Sequence, residues 1–151
     1  MKALKLKTIN VRNHKNSFFT LEKETLFTGM NGSGKTTILE SLYTLFSLKS
    51  FRKQPISSII SFGENFLKIE CETVNDDNFT NELSLTYDKG KRFSFLNGEE
   101  IEDIASYIYE NPVACHAPDY PGILSKDTQE RRNFLDKFIF YSDKSHLEDI
   151  K

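Results

Sequence analysis

The stretch FTGMNGSGKTTILESLYTLF, residues 27–46, joins a glycine-rich turn to an amphipathic run. Within it Gly29, Met30, Asn31, Gly32, Ser33, Gly34, Lys35 and Thr36 fit the pattern G-x-x-x-x-G-K-S/T at every fixed position. Glycines admit positive φ, so successive backbone amides turn inward as a concave nest of N–H donors, which suits an anion. A helix that begins at such a loop adds the partial positive charge of its N-terminus. In that arrangement Lys35 reaches terminal phosphates, the Thr36 hydroxyl is placed for Mg²⁺, and Thr37 follows on the first turn. The pattern carries weight only between a strand and a helix. TLFTG (25–29) reads as the entry strand, and Ile38, Leu39, Leu42, Leu45 and Phe46 fall on one helical face. The stretch therefore predicts a Walker A loop that takes a nucleoside triphosphate with Mg²⁺.

Outward from the loop, ALKLKTINV (3–11) alternates imperfectly and predicts a strand with one buried face. The polar break RNHKNS leads to FFTLE (18–22), which with TLFTG predicts a hairpin plus the entry strand. Residues 49–63, punctuated by Pro55 and Gly63, read as a loop with a short turn. Then NFLKIECETV, FTNELSLTY and KRFSFLNG predict three strands, joined by NDDN and DKG as antiparallel hairpins. A helix over Ile101–Tyr109, a buried strand in PVACHA (112–117), a loop over Asp119–Leu124 and an amphipathic helix over Thr128–Tyr141 complete the chain. Nucleotide kinases open with the phosphate-loop strand and continue in βα alternation. The strand that precedes the loop here, and the antiparallel strands that follow it, fit an ABC-type head instead.

Composition narrows the class further. A chain of 151 residues fits one domain that buries roughly 68–70% of its extended surface. Its 38% hydrophobic content and 13 phenylalanines support a core rather than a disordered tail. A net charge of −2 does not by itself mark a nucleic-acid binder, so any DNA contact must come from a local patch. Cys71 and Cys115 lack metal-ligand spacing and read as reduced core thiols. No segment has the apolar core of a signal peptide or reaches about 18 apolar residues, which predicts a cytoplasmic protein.

Taken in order, LKLKTINVRNHKN, the phosphate loop, LKSFRKQPISSIISFGENFLKIECE, KRFSFLNGEEI and APDYPGILSKDTQERRNFLDKF resemble the N-terminal part of the RecF family, bacterial SMC-like ATPases of recombinational DNA repair. ERRNFLD and SFR are the more specific segments, because a phosphate loop alone matches many families. The resemblance implies an α/β P-loop NTPase fold: an ABC/SMC-like head lobe with an antiparallel β subdomain beside the Walker A strand, loop and helix. It implies a lobe that dimerises around ATP, engages double-stranded or gapped DNA, and works with recombination mediator proteins. Lys15 and Asn16 stand at the family's Arg-Asn pair near the nucleotide, and Asp119 stands at an acidic position near the Q-loop. Three departures are visible: Lys15 for arginine, which lacks the planar fork, His14 for phenylalanine, and PDYP for an acidic pair followed by leucine.

An ABC-type ATPase also needs a signature motif in trans and a Walker B aspartate. No LSGGQ-like segment occurs, and FIFYSD (138–143) reads as part of a helix rather than a Walker B strand. The expectation is an incomplete N-terminal lobe, residues 1–151, that alone binds nucleotide weakly at best and does not hydrolyse it. Among the basic clusters, SFRK makes Arg52 and Lys53 the DNA-contact candidates, whereas Arg131 and Arg132 read as structural. Two alternatives compete. A small P-loop kinase or nucleotide-binding regulatory module needs an arginine lid that is not evident. A non-catalytic module would keep the loop as an anion clamp.

Overall fold

The computed structural model describes residues 1–116 and 128–142. Strand β1 (Lys2–Val11) forms a hairpin with β2 (His14–Thr20) through the turn Arg12–Asn13. Leu6, Thr8 and Asn10 of β1 face inward and are buried, while Lys5 and Lys7 face out. The imperfect alternation in the sequence has a local cause. The β1–β3 register shifts between Ala3 and Lys5, so Ala3 rather than Leu4 packs against the core.

Strands β3 (Phe66–Val74), β4 (Thr80–Asp88) and β5 (Lys91–Leu96) are the three predicted antiparallel strands, and Glu99–Glu100 adds a short β6. All six join one sheet in the order β2-β1-β3-β4-β5-β6. The antiparallel subdomain is thus continuous with the N-terminal hairpin. On its inner face Leu6, Leu67, Ile69, Cys71, Leu83 and Leu85 form the floor of the core. The outer face is solvated and carries cross-strand pairs, Lys5–Glu72 at 2.8 Å and Lys7–Glu70 at 3.2 Å.

Helix α1 (Lys35–Ser47) lies on the inner face and buries Ile38, Leu45 and Phe46 there. Leu39, expected on the same stripe, is 51% exposed because the buried face runs through Thr37, Glu40, Ser41 and Thr44 instead. The helix ends where Leu48 turns left-handed at φ 55°, and the Arg92 guanidinium donates to the Leu48 carbonyl at 3.1 Å. A 3-10 turn, Ile56–Ile59, buries Ile59 in the expected loop region.

Helix α2 spans Ile104–Glu110, starting three residues later than expected because Asp103 is its N-cap and accepts from the amides of Ala105 and Ser106. The Tyr107 hydroxyl donates to the Leu45 carbonyl at 2.9 Å, tying α2 to α1. Helix α3 (Thr128–Ser142) forms where its pattern predicted it, and FIFYS (138–142) is helical.

Two expected strands do not form. TLFTG is irregular and unladdered: the aromatic and β-branched residues favour a strand, yet no other strand among the described residues shares its backbone hydrogen bonds. Leu26 is 86% exposed, and Phe27 alone packs inward, against Phe19. PVACHA is irregular over its described residues, with Pro112 unable to donate to a ladder and Ala114 and His116 exposed.

Candidate nucleotide-binding site

The glycine loop follows this irregular segment and ends on the first residue of α1. Gly29, Gly32 and Gly34 have φ of 151°, 83° and 96°, the conformations their lack of a Cβ allows. At Gly34 the requirement is steric as well. A Cβ there would lie 2.3 Å from the His14 ring and 2.7 Å from the Asn13 amide. The Gly34 carbonyl accepts the first helical hydrogen bond, from Ile38 N at 3.1 Å.

The Lys35 ammonium donates to the carbonyls of Gly29 and Met30, both at 2.8 Å. It therefore arches back over the loop that the motif assigns to phosphate. Thr36 is exposed on the first turn, whereas Thr37 is buried and its hydroxyl donates to Asn13 Oδ1 at 3.3 Å. Asn31 and Ser33 are exposed, as is Met30 at 85%. A nest of left-handed glycines, a lysine over it and a free-standing hydroxyl at the helix start form a donor set that fits a polyphosphate with Mg²⁺.

The β1–β2 turn reaches the loop through residues that the motif does not contain. Asn13 Nδ2 donates to the Gly32 carbonyl at 3.3 Å, and His14 Nε2 donates to the Gly34 carbonyl at 3.2 Å. Lys15 and Asn16 continue along exposed β2. The Lys15 ammonium lies 3.9 Å from Glu64, and Asn16 stands opposite Ile9. Thus Asn13 and His14, rather than Lys15 and Asn16, make this turn's side-chain hydrogen bonds to the loop. Asp119 lies outside the described residues.

Behind the loop, α1 holds a fully buried carboxylate. Glu40 accepts from Arg12 Nε at 2.7 Å, Arg12 Nη2 at 3.1 Å and the Ser50 hydroxyl at 2.6 Å. Burial alone would raise its pKa. The hydrogen bonds from Arg12 and Ser50 and the charges of Arg12 and Arg52 outweigh that and hold the carboxyl below its ordinary value. Arg52 is the outer member, its Nε 3.8 Å from Glu40 and its guanidinium over the Phe51 ring. Lys53 is exposed beside it. No sequence signal marked Glu40, because its partner lies 28 residues away in the hairpin turn.

The model of the AAA ATPase domain matches residues 1–148. The chain belongs to the AAA ATPase domain family. Among curated relatives, the DNA replication and repair protein RecF of Chlorobium limicola is 30% identical over 153 residues, covering 99% of this chain and 42% of the relative. The RecF protein of Leptospira biflexa is 32% identical over 146 residues, covering 93% and 39%. This domain therefore spans about two-fifths of the length of the relatives it matches. A solved structure of the recombination mediator protein RecF-ATP in the RecFOR pathway superposes with a TM-score of 0.86 at 21% identity, covering 99% of this chain and 40% of that one. An SMC head domain from Thermotoga maritima gives 0.54 at 16% identity, covering 70% and 40%. At those identities the likeness is one of fold, the P-loop ATPase head.

Elsewhere in the domain the basic clusters are largely paired. Lys5, Lys7 and Arg12 each face a glutamate, and Arg92 caps α1. Arg131 of α3 donates to Thr128 Oγ1 at 3.3 Å, and Arg132 is exposed. Neither cysteine is in a disulfide. Cys71 is buried, and burial together with the charge of Glu72 pushes its thiol up to about 12. Cys115 is only half-buried, so it is not the core thiol expected. Among the described residues no helix is long and apolar enough to cross a membrane.

Proposed function

We propose that residues Gly29–Thr37 bind ATP with Mg²⁺, and that the domain is one lobe of a RecF-like ATPase head acting in DNA repair and recombination. The observation that carries this reading is the Lys35 ammonium held at 2.8 Å from two carbonyls of the same glycine loop, on the first residue of α1. On binding, Lys35 exchanges those carbonyls for phosphate oxygens and the loop amides take the remaining acceptors. The Thr36 hydroxyl would hold Mg²⁺, which when bound neutralises phosphate charge. Each charge-assisted hydrogen bond contributes about 1.5–3 kcal/mol. Lys15, Asn16 and Asp119 are further nucleotide candidates by resemblance alone.

The names of the relatives support DNA as the larger partner; that it is double-stranded or gapped, and that recombination mediator proteins join it, is proposed on the resemblance alone. Arg52 and Lys53, just past α1, are the contacts proposed for it. A homodimer that closes around nucleotide is proposed on the family resemblance alone. Hydrolysis calls for a signature motif and a Walker B aspartate, so these 151 residues alone bind without turning over.

Calorimetric titration of Mg·ATP into the chain and its Lys35→Ala variant tests the reading. Saturable binding by the wild type, lost in the variant, is the expected result. Wild-type and variant chains that both melt cooperatively and both fail to bind would overturn it. Steady hydrolysis abolished by Lys35→Ala would overturn the non-hydrolytic part.

A further inference from the structure

The imidazole of His14 lies between β2 and the phosphate loop. Its Nε2 is 3.2 Å from the Gly34 carbonyl, its Nδ1 is 3.0 Å from the Ser17 hydroxyl, and its ring meets Phe19 edge-on with centroids 5.5 Å apart. A carbonyl oxygen only accepts, so Nε2 carries the hydrogen. Nδ1 then accepts from Ser17 when the ring is neutral and donates to it when the ring is charged. A serine hydroxyl rotates to serve either role. Both charge states therefore keep both hydrogen bonds, an arrangement that phenylalanine could not provide.

The position matters because the Gly34 carbonyl also anchors the first turn of α1 through Ile38 N, one residue before Lys35. Asn13 secures the same loop from the adjacent turn position, bridging the Gly32 carbonyl and the Thr37 hydroxyl. The charged groups on the surrounding elements are largely engaged. Lys35 of α1 faces the Gly29 and Met30 carbonyls, Arg12 of β1 is held by Glu40 of α1, and Lys15 of β2 faces Glu64 of the loop before β3.

We propose that His14 is a positioning residue of the phosphate loop, and that its imidazolium form strengthens the binding of a nucleoside polyphosphate there. Neutral, it orients the Gly34 carbonyl. Charged, it also sets a cation against the Gly34 carbonyl of the loop. This inference rests on the nucleotide reading above, and the test separates the two.

Mg·ATP affinity would be measured at about pH 6 and about pH 8, the range in which imidazole changes charge, for wild type, His14→Gln and His14→Phe. Glutamine keeps a donor without the charge, and phenylalanine keeps neither. Wild-type affinity should rise on acidification by up to about tenfold more than that of His14→Gln, the size of one unit of proton linkage. His14→Phe should bind more weakly than His14→Gln at both pH values. Nitrogen-15 shifts of His14 in the free chain should show the Nε2–H tautomer. Parallel pH profiles for wild type and His14→Gln, or an Nδ1–H tautomer, would overturn this proposal while leaving the nucleotide site intact. A wild type that binds no nucleotide at either pH would overturn both. Should His14→Phe fail to fold, the glutamine variant and the tautomer carry the test.

Discussion

Arg12 and Glu40 are joined by two hydrogen bonds, Nε to Oε2 at 2.7 Å and Nη2 to Oε1 at 3.1 Å, across 28 residues of chain. The geometry is bidentate, the arrangement in which guanidinium and carboxylate bond most strongly. Arg12 reaches it from a turn residue with φ 50°, a conformation that costs an ordinary residue about 1–2 kcal/mol. The pair links the hairpin that touches the phosphate loop to the helix that starts from it.

Removing either partner should destabilise the domain, but unequally. The Glu40 side chain is 0% exposed and Arg12 is 26% exposed. Arg12→Ala leaves a buried carboxylate with weaker partners and should cost about 3–5 kcal/mol. Glu40→Ala leaves a guanidinium that can reach water and should cost about 1–3 kcal/mol. Urea denaturation of the two variants decides; equal losses would contradict the asymmetry.

The same carboxylate makes stability depend on pH. Glu40 titrates below its ordinary value of 4.5 in the folded chain. Between the folded and unfolded values the unfolded chain binds more protons, so stability falls as pH falls. Its contribution is fully present above about pH 4.5 and is lost as pH drops through the folded value. Glu70, lowered against burial by Lys68 and Lys7, acts in the same direction in every variant. The urea midpoint of wild type should therefore fall more steeply below pH 4.5 than that of Glu40→Gln. Parallel curves would assign the acid loss to other groups.

Two glycines of the loop should respond differently to alanine. A Cβ at Gly32 meets nothing within 4 Å, whereas at Gly34 it lies 2.3 Å from His14. Gly32→Ala should lose only the backbone cost of positive φ, about 1–2 kcal/mol. Gly34→Ala must also displace the His14 ring and the Asn13 amide. It should melt lower than Gly32→Ala and weaken Mg·ATP binding more. Thermal melts and calorimetry on both variants provide the check, and equal effects would mean the hairpin does not clamp the loop.

The proposed DNA contact can be tested at Arg52 and Lys53 in turn. Arg52 already shares the Glu40 carboxylate and lies over Phe51. A lysine that neutralises one phosphate contributes about 0.9 to the slope of log affinity against log salt. Fluorescence anisotropy with duplex DNA and Mg·ATP should show a loss of that order for Lys53→Ala and for Arg52→Ala. Unchanged affinity and slope in both would remove this patch from the DNA interface.

Local chemistry made much of this domain readable in one dimension. The glycine spacing, the lysine and the helix after them specify the loop because each acts through its own backbone or its immediate neighbours. The three antiparallel strands were legible because NDDN and DKG are turn formers between alternating runs. TLFTG failed as a strand because strand formation needs a hydrogen-bonding neighbour, which propensity does not supply. Leu39 and Glu40 show the complementary failure. Helical periodicity located an apolar stripe, but which residues are buried was decided by the sheet beneath and by Arg12 arriving from the hairpin. Likewise the motif identified Lys35, while Asn13 and His14 became loop contacts only when β1 and β2 closed their turn beside Gly34. Sequence by itself determined the glycine loop and the antiparallel hairpins, whose causes lie within a few residues. Only the tertiary structure decided what braces that loop, because hydrogen bonds between distant segments depend on where the folded sheet and helix bring them together.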